Sequence, residues 1–442
     1  MESSTELLSQ FREQLRTENA QTLRRRCQTL FETGIEYNEI APIIWHHVRN
    51  NSVADYSWLP AASCVNHADM AAQVELQNSV DKHVVMTFGE PTPEFRRTEP
   101  PPPLEGALDE LRSRLNDISA SNDWLLTERC LLGIAQQSDV KTTLRCIIEQ
   151  LLRPEYLGTR SGAWWTELRL VTIRCQAEIW QHYGDAAILP VACRNGGRQC
   201  AKTVGRVSEK KQVAMRLLSE EYAKLATRSH EDASTFDEVS FRQALSSDDL
   251  VTVFAAITSA WQHGATVEQI DRAMTMLCVE RHLRAAYGNA KDWSNLRNEL
   301  MASANIRKLA AIDATIAIQS AFHAAWLILK DRSDGLADEI PAAMSPLNSN
   351  ASAQIECIIR LVKQGKPRDA MAETNSYCTS GHDGRELLRR LFLDIGSEFT
   401  YAGQRCMIEA WQIAENHPER NRILAATVGS EATYRKHEEA EC

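Results

Sequence analysis

The chain has 442 residues with 49 Lys plus Arg against 59 Asp plus Glu, a formal net charge of −10; 43% of its residues are hydrophobic and 24% charged. Those fractions exclude a disordered chain, a collagen and a membrane-embedded bundle. The acidic balance argues against general nucleic-acid binding, which needs a basic footprint, and the 19 Gly and 14 Pro are few for this length, which favours helices.

Residues 1–34 read as one or two helices. Leu7, Leu8, Phe11 and Leu15 recur at helical spacing, as do Leu23, Cys27, Leu30 and Phe31, and Gly34 is a stop. The start, MESSTELLSQ, lacks the positive charge and apolar stretch of a secretory signal, so a cytoplasmic setting is expected. A short helix follows through IAPIIWHHV, with Pro42 in its first turn. Its His46 and His47 diverge by about 100° on a helix, so only one can face a given site.

Residues 50–103 differ in character. HVVMTF (83–88) is an isolated strand candidate, and Pro91, Pro93 and Pro100 to Pro103 form a stiff linker or a surface strap. The alternative for this segment is a ligand for a proline-binding protein partner. These features divide the chain into a helical segment 1–90, the strap 91–103, a helical region 104–235 and a second helical region 236–442.

From 104 onward the pattern is helical. ALDELRSRLNDI is amphipathic, SNDWLLTERCLLGIAQQ opens with a cap at Ser121 or Asn122, and VKTTLRCIIEQLL stops at Pro154. The stretch 161–184 carries Trp164 and Trp165, which read either as core or as the wall of an aromatic pocket, and Arg174 with Glu178, spaced to pair. CRNGGRQC holds Cys193 and Cys200 around two glycines. A turn there would bring the sulfurs together as a redox or zinc pair, against the plainer reading of buried free thiols in a reducing compartment. Residues 208–228 form a charged helix with an apolar stripe of Val213, Leu217 and Tyr222.

The second half is more regular. Leu250, Phe254, Ile257 and Trp261 share a face that Gly264 ends, and Thr266 with Gln269 makes a capping box for the next helix. That helix carries His282 in VERHLRAAY, a charged solvent-facing pattern. KLAAIDATIAIQSAFHAAWLILK is long and apolar, with His323 in line with Ile312, Ile316, Gln319 and Trp326. This histidine is either a core residue with its nitrogens hydrogen-bonded or an acid–base group or metal ligand in an interior pocket. Lys330 ends the helix, where its charge suits the dipole. A polar loop over 331–350 and three helices, SAQIECIIRLVKQG, DGRELLRRLFLDI and RCMIEAWQIAEN, complete the chain. No fixed repeat period is present, and nucleotide-binding, hydrolase and zincin motifs are absent. The fold class expected is all-α, an irregular assembly of antiparallel helix pairs, with no span for a membrane.

The stretches AAITSAWQHGATVEQIDRAMTMLCVERHLRAA, DWSNLRNELMASANIRKL and QSAFHAAWLI resemble an all-helical bacterial module linked to Rieske iron–sulfur domains. IECIIRLVKQGKPRDAMAETNSYCTSGHDGRELLRRL and MIEAWQIAEN are similar to its closing part, and its broader kin are the questin-oxidase-like proteins. The resemblance covers roughly 245–425. It implies an oxygenase-like enzyme of secondary metabolism acting on an aromatic or polyketide-like small molecule, with non-heme iron held by histidines. On that reading His323 is the catalytic residue or an iron ligand and His46 a second ligand, while Trp326 and Trp165 line the pocket. The chain departs from the family pattern at Asn298-Glu299-Leu300, where the family has a histidine, and at Phe399-Thr400-Tyr401, where it has Phe-His-Thr-Tyr. A non-catalytic helical scaffold that binds another protein is the alternative.

Overall fold

In the computed structural model the described residues are 3–17, 20–35, 39–40, 43, 100–157, parts of 170–184, 188–201, 208–226, 236–287, 294–330, 350–395, 411 and 420–441. They contain sixteen α-helices, one 3-10 turn and no strand, so the all-α expectation holds. The strand candidate at 83–88 lies outside the described residues. No described helix is long and apolar enough to cross a membrane. The chain divides into two units, 1–153 with 168–204 and 154–167 with 205–442, so the segment 104–235 contributes to both.

Unit 1 contains α1 (Ser4–Thr17), α2 (Ala20–Glu32), α3 (Leu108–Ala120), α4 (Trp124–Ala135), α5 (Val140–Leu151) and α6 (Leu189–Cys200). Helix α4 is capped by Asp123, whose carboxylate accepts the Leu126 N–H, rather than by the expected Ser121 or Asn122. Asn122 instead takes a left-handed φ of 61° in the turn, a conformation asparagine tolerates. The prolines at 100–103 lead into a segment that lies along α4: the Leu104 N–H donates to the Arg129 carbonyl at 2.8 Å and Arg129 Nε donates to the Pro102 carbonyl. Gly133 makes room for it, since a Cβ there would sit 2.3 Å from the Leu104 oxygen.

The Cys193–Cys200 segment corrects the sequence reading. It is the helix α6, with Pro190 in its first turn, and not a turn. Seven helical residues separate the two cysteines by about 10 Å along the axis, beyond the reach of a disulfide. Both are buried and neither forms a disulfide, as holds for the other described cysteines, of which Cys357 is half-buried. The glycines serve close packing instead. A Cβ on Gly196 would lie 2.8 Å from Ile147, and one on Gly197 would lie 2.9 Å from the Glu128 nitrogen and the Trp124 oxygen. Glycine is a poor helix former by about 1 kcal/mol, and here that cost accompanies a backbone approach that a larger residue would block. The approach also brings Arg194 to within 3.7 Å of Glu128, both buried. Arg174 and Glu178 pair at 3.4 Å, as their spacing predicts, but in the interior rather than at the surface.

Unit 2 begins with the 3-10 turn Pro154–Tyr156, followed by α7 (Glu209–Lys224), α8 (Glu238–Leu245), α9 (Leu250–Gln262), α10 (Val267–Tyr287), α11 (Ser294–Ala310), α12 (Ala314–Lys330), α13 (Ala351–Lys363), α14 (Pro367–Thr379), α15 (Gly384–Ile395) and α16 (Arg420–Glu441). Helix α9 ends at Gly264, at a φ of 89°. The Ala265 N–H reaches back to the Ala260 carbonyl, a Schellman closure that uses the left-handed residue. The predicted capping box then starts α10: the Thr266 N–H donates to Gln269 Oε1 at 2.9 Å, and the Gln269 N–H to Thr266 Oγ1 at 3.2 Å. The same closure recurs at Gly365, where the Lys366 N–H reaches the Leu361 carbonyl. It folds α14 back on α13, with Pro367 at the start of α14. Helices α14 and α16 are additional to the sequence reading.

Helix α12 is the centre of the unit. From Ile316 to Leu329 every residue but Gln319 is buried, and α9, α10 and α11 pack against it. A helix apolar on all sides is an interior helix.

Helices α10 and α11 are joined by a polar ladder. Arg307 grips both oxygens of Asp271 at 2.9 and 2.8 Å, the Thr275 hydroxyl reaches Ser303 at 3.4 Å, and Arg281 makes two 2.9 Å bonds to Glu299. Rising numbers on α10 meet falling numbers on α11, so the ladder records one antiparallel register. Glu299 is wholly buried in this pairing.

Candidate functional site

His323 lies midway along α12 and is 3% exposed. Its nearest polar neighbour comes from α7, 101 residues earlier: the Tyr222 hydroxyl stands 3.1 Å from His323 Nε2 and 3.2 Å from the Gln319 carbonyl. Helix α7 is held in place by α9. The Thr258 hydroxyl donates to Glu221 in a short hydrogen bond, and Lys224 Nζ reaches the other Glu221 oxygen at 2.6 Å. The last carbonyls of α7, which have no partner within their own helix, are taken by the Trp261 indole N–H on Leu225 and the Gln262 amide on Lys224. The buried face of α7 is therefore Ala214, Leu218, Glu221 and Leu225, one position off the expected stripe, and Val213 is exposed. The displaced register turns Tyr222 toward α12.

These contacts fix the protonation pattern. A carbonyl can only accept, so the single phenol proton goes to Gln319. With the phenol proton directed at that carbonyl, the contact between Tyr222 and His323 suits a hydrogen on Nε2. Burial pushes the Tyr222 phenol well above its ordinary pKa, so it stays protonated in this role. Aromatic rings surround the pair. Tyr222 meets Phe322 edge-on at 5.6 Å, and Phe322 meets Phe254 edge-on at 5.3 Å.

Trp326 follows His323 by three residues and is 4% exposed. Its indole Nε1–H has no hydrogen-bond acceptor among the described residues. Trp261, by contrast, donates its indole N–H to the Leu225 carbonyl. A buried unsatisfied donor costs about 1–3 kcal/mol, so a core built for stability alone would provide it with an acceptor.

His46 and Trp165 lie outside the described residues, as do His47, Trp164 and Phe399 to Tyr401. The side chains of His282 and Lys330 are likewise outside them. Of the four expected site residues, the structure thus brings His323 and Trp326 onto one stretch of α12 and adds Tyr222, which no local pattern marked as a partner of His323. The iron expectation finds no ligand set here. Non-heme iron takes about three protein ligands in a facial arrangement, and no group of three His, Cys, Asp or Glu side chains converges among the described residues. Nε2 of His323 is engaged by Tyr222, and Glu299 by Arg281.

No family model, no curated protein and no solved structure matches the chain. The comparisons therefore add nothing to the resemblance with the Rieske-linked and questin-oxidase-like proteins.

Proposed function

We propose that unit 2 binds an oxygen-bearing aromatic small molecule in its interior beside α12, the ligand class that an oxygenase-like enzyme of secondary metabolism would take. The observation that carries this reading is the buried Trp326 N–H, which has no acceptor among the described residues and lies one helical turn from the His323–Tyr222 pair. A carbonyl or phenolic oxygen would satisfy the indole donor, and the rings of Tyr222, Phe322 and Phe254 supply edges and faces for a planar ligand. Chemistry at this site would start from His323 Nδ1 as a base toward a ligand hydroxyl, with Tyr222 holding the ring in that tautomer. No step is assigned to a metal.

The test is calorimetric titration with 1,8-dihydroxyanthraquinone and 2-naphthol, planar aromatics with and without carbonyl acceptors. Trp326→Phe removes the N–H and keeps an aromatic ring, so the quinone should bind about tenfold more weakly, the worth of one buried hydrogen bond, while 2-naphthol should change less. Equal affinity of wild type and variant for the quinone would refute the reading, as would failure of wild type to bind either compound.

The polar ladder favours a second reading, a helical scaffold. Such a ladder holds α10 and α11 in one register and suits a platform whose surface presents a fixed shape to a protein partner.

A further inference from the structure

A cleft of about 260 Å³ lies between α8 and α9, and each helix turns one face to it. Asp237, Ser240, Phe241 and Ala244 line it from α8 and its cap, and Ala256, Ser259, Ala260 and His263 from α9. Both sets follow the i, i+3, i+4, i+7 spacing of a single helix face. At 3.6 residues per turn the α9 set lies opposite Phe254, whose ring meets Phe322 of α12, so the cleft is on the far side of α9 from α12.

The space exists because the facing residues are small. The core face of α9 carries Phe254, Ile257 and Trp261, whereas its cleft face carries Ala256 and Ala260, with Ala244 on α8 and the buried Ala265 beyond the helix end. The rings of Phe236 and Phe241 supply an aromatic wall, their centroids 5.4 Å apart and their planes tilted by 59°. Phe241 is buried, while Asp237, Ser240, Ser259 and His263 are exposed. The cleft therefore has an apolar interior and a polar rim.

Among the described residues no Lys or Arg lines the cleft, and Asp237 is its one carboxylate. Asp237 Oδ1 accepts the Val239 and Ser240 N–H groups, and Oδ2 accepts the Ser240 hydroxyl at 2.6 Å. The hydroxyl, followed by the Ser240 N–H, holds this carboxyl below the ordinary Asp value, so it is ionised at neutral pH. A carboxylate has about four lone-pair positions, which leaves Oδ2 able to accept one more hydrogen. No cationic side chain pairs with Asp237 among the described residues.

We propose that this cleft binds a small arylalkylamine, a single aromatic ring that carries an ammonium group on a short chain. The ring packs against Phe236 and Phe241, and the ammonium donates to the Asp237 carboxylate at the rim. The volume is below the 300–1,000 Å³ or so that drug-sized ligands occupy, which suits one ring rather than a fused system. Charge decides against a carboxylate or phosphate ligand, and a neutral aromatic alcohol gains nothing from the carboxylate's charge.

The test is calorimetric titration of the full chain, in low-salt buffer, with 2-phenylethylamine and with 2-phenylethanol, which keeps the skeleton and lacks the charge. Wild type should bind the amine about fivefold more tightly than the alcohol, the upper end for an ion pair at an exposed rim. Asp237→Asn keeps a capping side chain and should bring the amine down to the affinity of the alcohol. Ala256→Leu, at a half-buried position in the middle of α9, fills the cleft and should lose both ligands. Asp237→Asn, on the exposed rim, decides the case should Ala256→Leu fail to fold. Trp326→Phe should leave the amine affinity unchanged, which separates this cleft from the site beside α12. The proposal is overturned if wild type does not bind the amine or binds the alcohol as tightly. It is also overturned if Asp237→Asn keeps the preference for the amine, if folded Ala256→Leu binds as wild type does, or if Trp326→Phe abolishes amine binding.

Discussion

Breaking the Arg281–Glu299 rung should cost far more than its length alone suggests. The surface pair Arg145–Glu149 is as short, at 2.8 Å, but both its side chains are at least 40% exposed, and such pairs are worth about 0–1 kcal/mol. Glu299 has no exposure and Arg281 only 14%. Glu299→Leu removes the carboxylate that accepts two bonds from Arg281, and breaking a buried pair from one side typically costs about 3–5 kcal/mol. The residual exposure of Arg281 lets it reach some water, which puts the expected cost near 3 kcal/mol. Adding Arg281→Met removes the other charge of the pair, and the double variant should return to within about 1 kcal/mol of wild type. Urea denaturation of the four proteins of this cycle measures it. At an m-value of about 2–3 kcal/mol/M the single variant loses about 1 M in midpoint, and hydrogen exchange of α10 and α11 amides assigns the loss to unit 2. A single-variant cost under about 1 kcal/mol, or a double variant as unstable as the sum of the singles, would refute the reasoning.

Three further outcomes follow from unit 1 and from the caps. Gly197→Ala gains helix propensity of up to about 1 kcal/mol but sets a Cβ 2.9 Å from two backbone atoms of α4. Overpacking of about 1–3 kcal/mol should win, and a raised melting temperature would contradict the close-approach argument. The cap carboxylates of Asp139, Asp237 and Asp249 are held below the ordinary Asp value by side-chain hydrogen bonds from Thr142, Ser240 and Thr252. A depressed folded pKa means that their contribution is present above the unfolded value of 3.8 and is lost as pH falls through the folded value. The first turns of α5, α8 and α9 should then fray in acid below pH 4, and amide exchange there that is no faster at pH 2.5 than the general acid trend would refute it. Burial pushes the Cys130 thiol up to about 11 from 9.0. Its stabilising effect is complete below pH 9 and declines between 9 and 11, so Cys130 should resist alkylation at pH 8 in the native protein and react in urea. Rapid labelling of native Cys130 would show the burial to be wrong.

The parts of this fold that a local pattern can encode were readable. Gly264 and the Thr266–Gln269 box lie within a few residues of the bonds they make, and so does the Arg174–Glu178 pair. What depends on a distant segment was not. The glycines at 196 and 197 read as a turn because nothing nearby says that α4 passes within contact of them. Helix α16 was hidden by its polar composition and its internal Gly429. The register of α7 is ambiguous in sequence because Leu217 and Leu218 are adjacent, and the choice falls to Glu221, a charged residue that turns inward because Thr258 and Lys224 meet it. At the site, the burial of His323 was legible, though for a weaker reason than its stripe suggested. Nearly every residue of α12 is buried, so alignment with Ile316 and Trp326 singled out no face. Tyr222, the residue that sets the histidine's tautomer, is too far along the chain for any spacing rule to find.

The distribution of buried polar groups in unit 2 separates structure from function. Between α10 and α11 three rungs pair complementary groups and hold one antiparallel register. At Trp326 a buried indole N–H has no acceptor among the described residues. Each stranded N–H opposes folding by about 1–3 kcal/mol, and domains are stable by only about 5–15 kcal/mol in total. A chain that satisfies Trp261 with a carbonyl from α7 and Glu299 with a two-pronged arginine can build acceptors where folding alone needs them. The absence of one beside Trp326 among the described residues is what the oxygen atom of a bound aromatic ligand would explain.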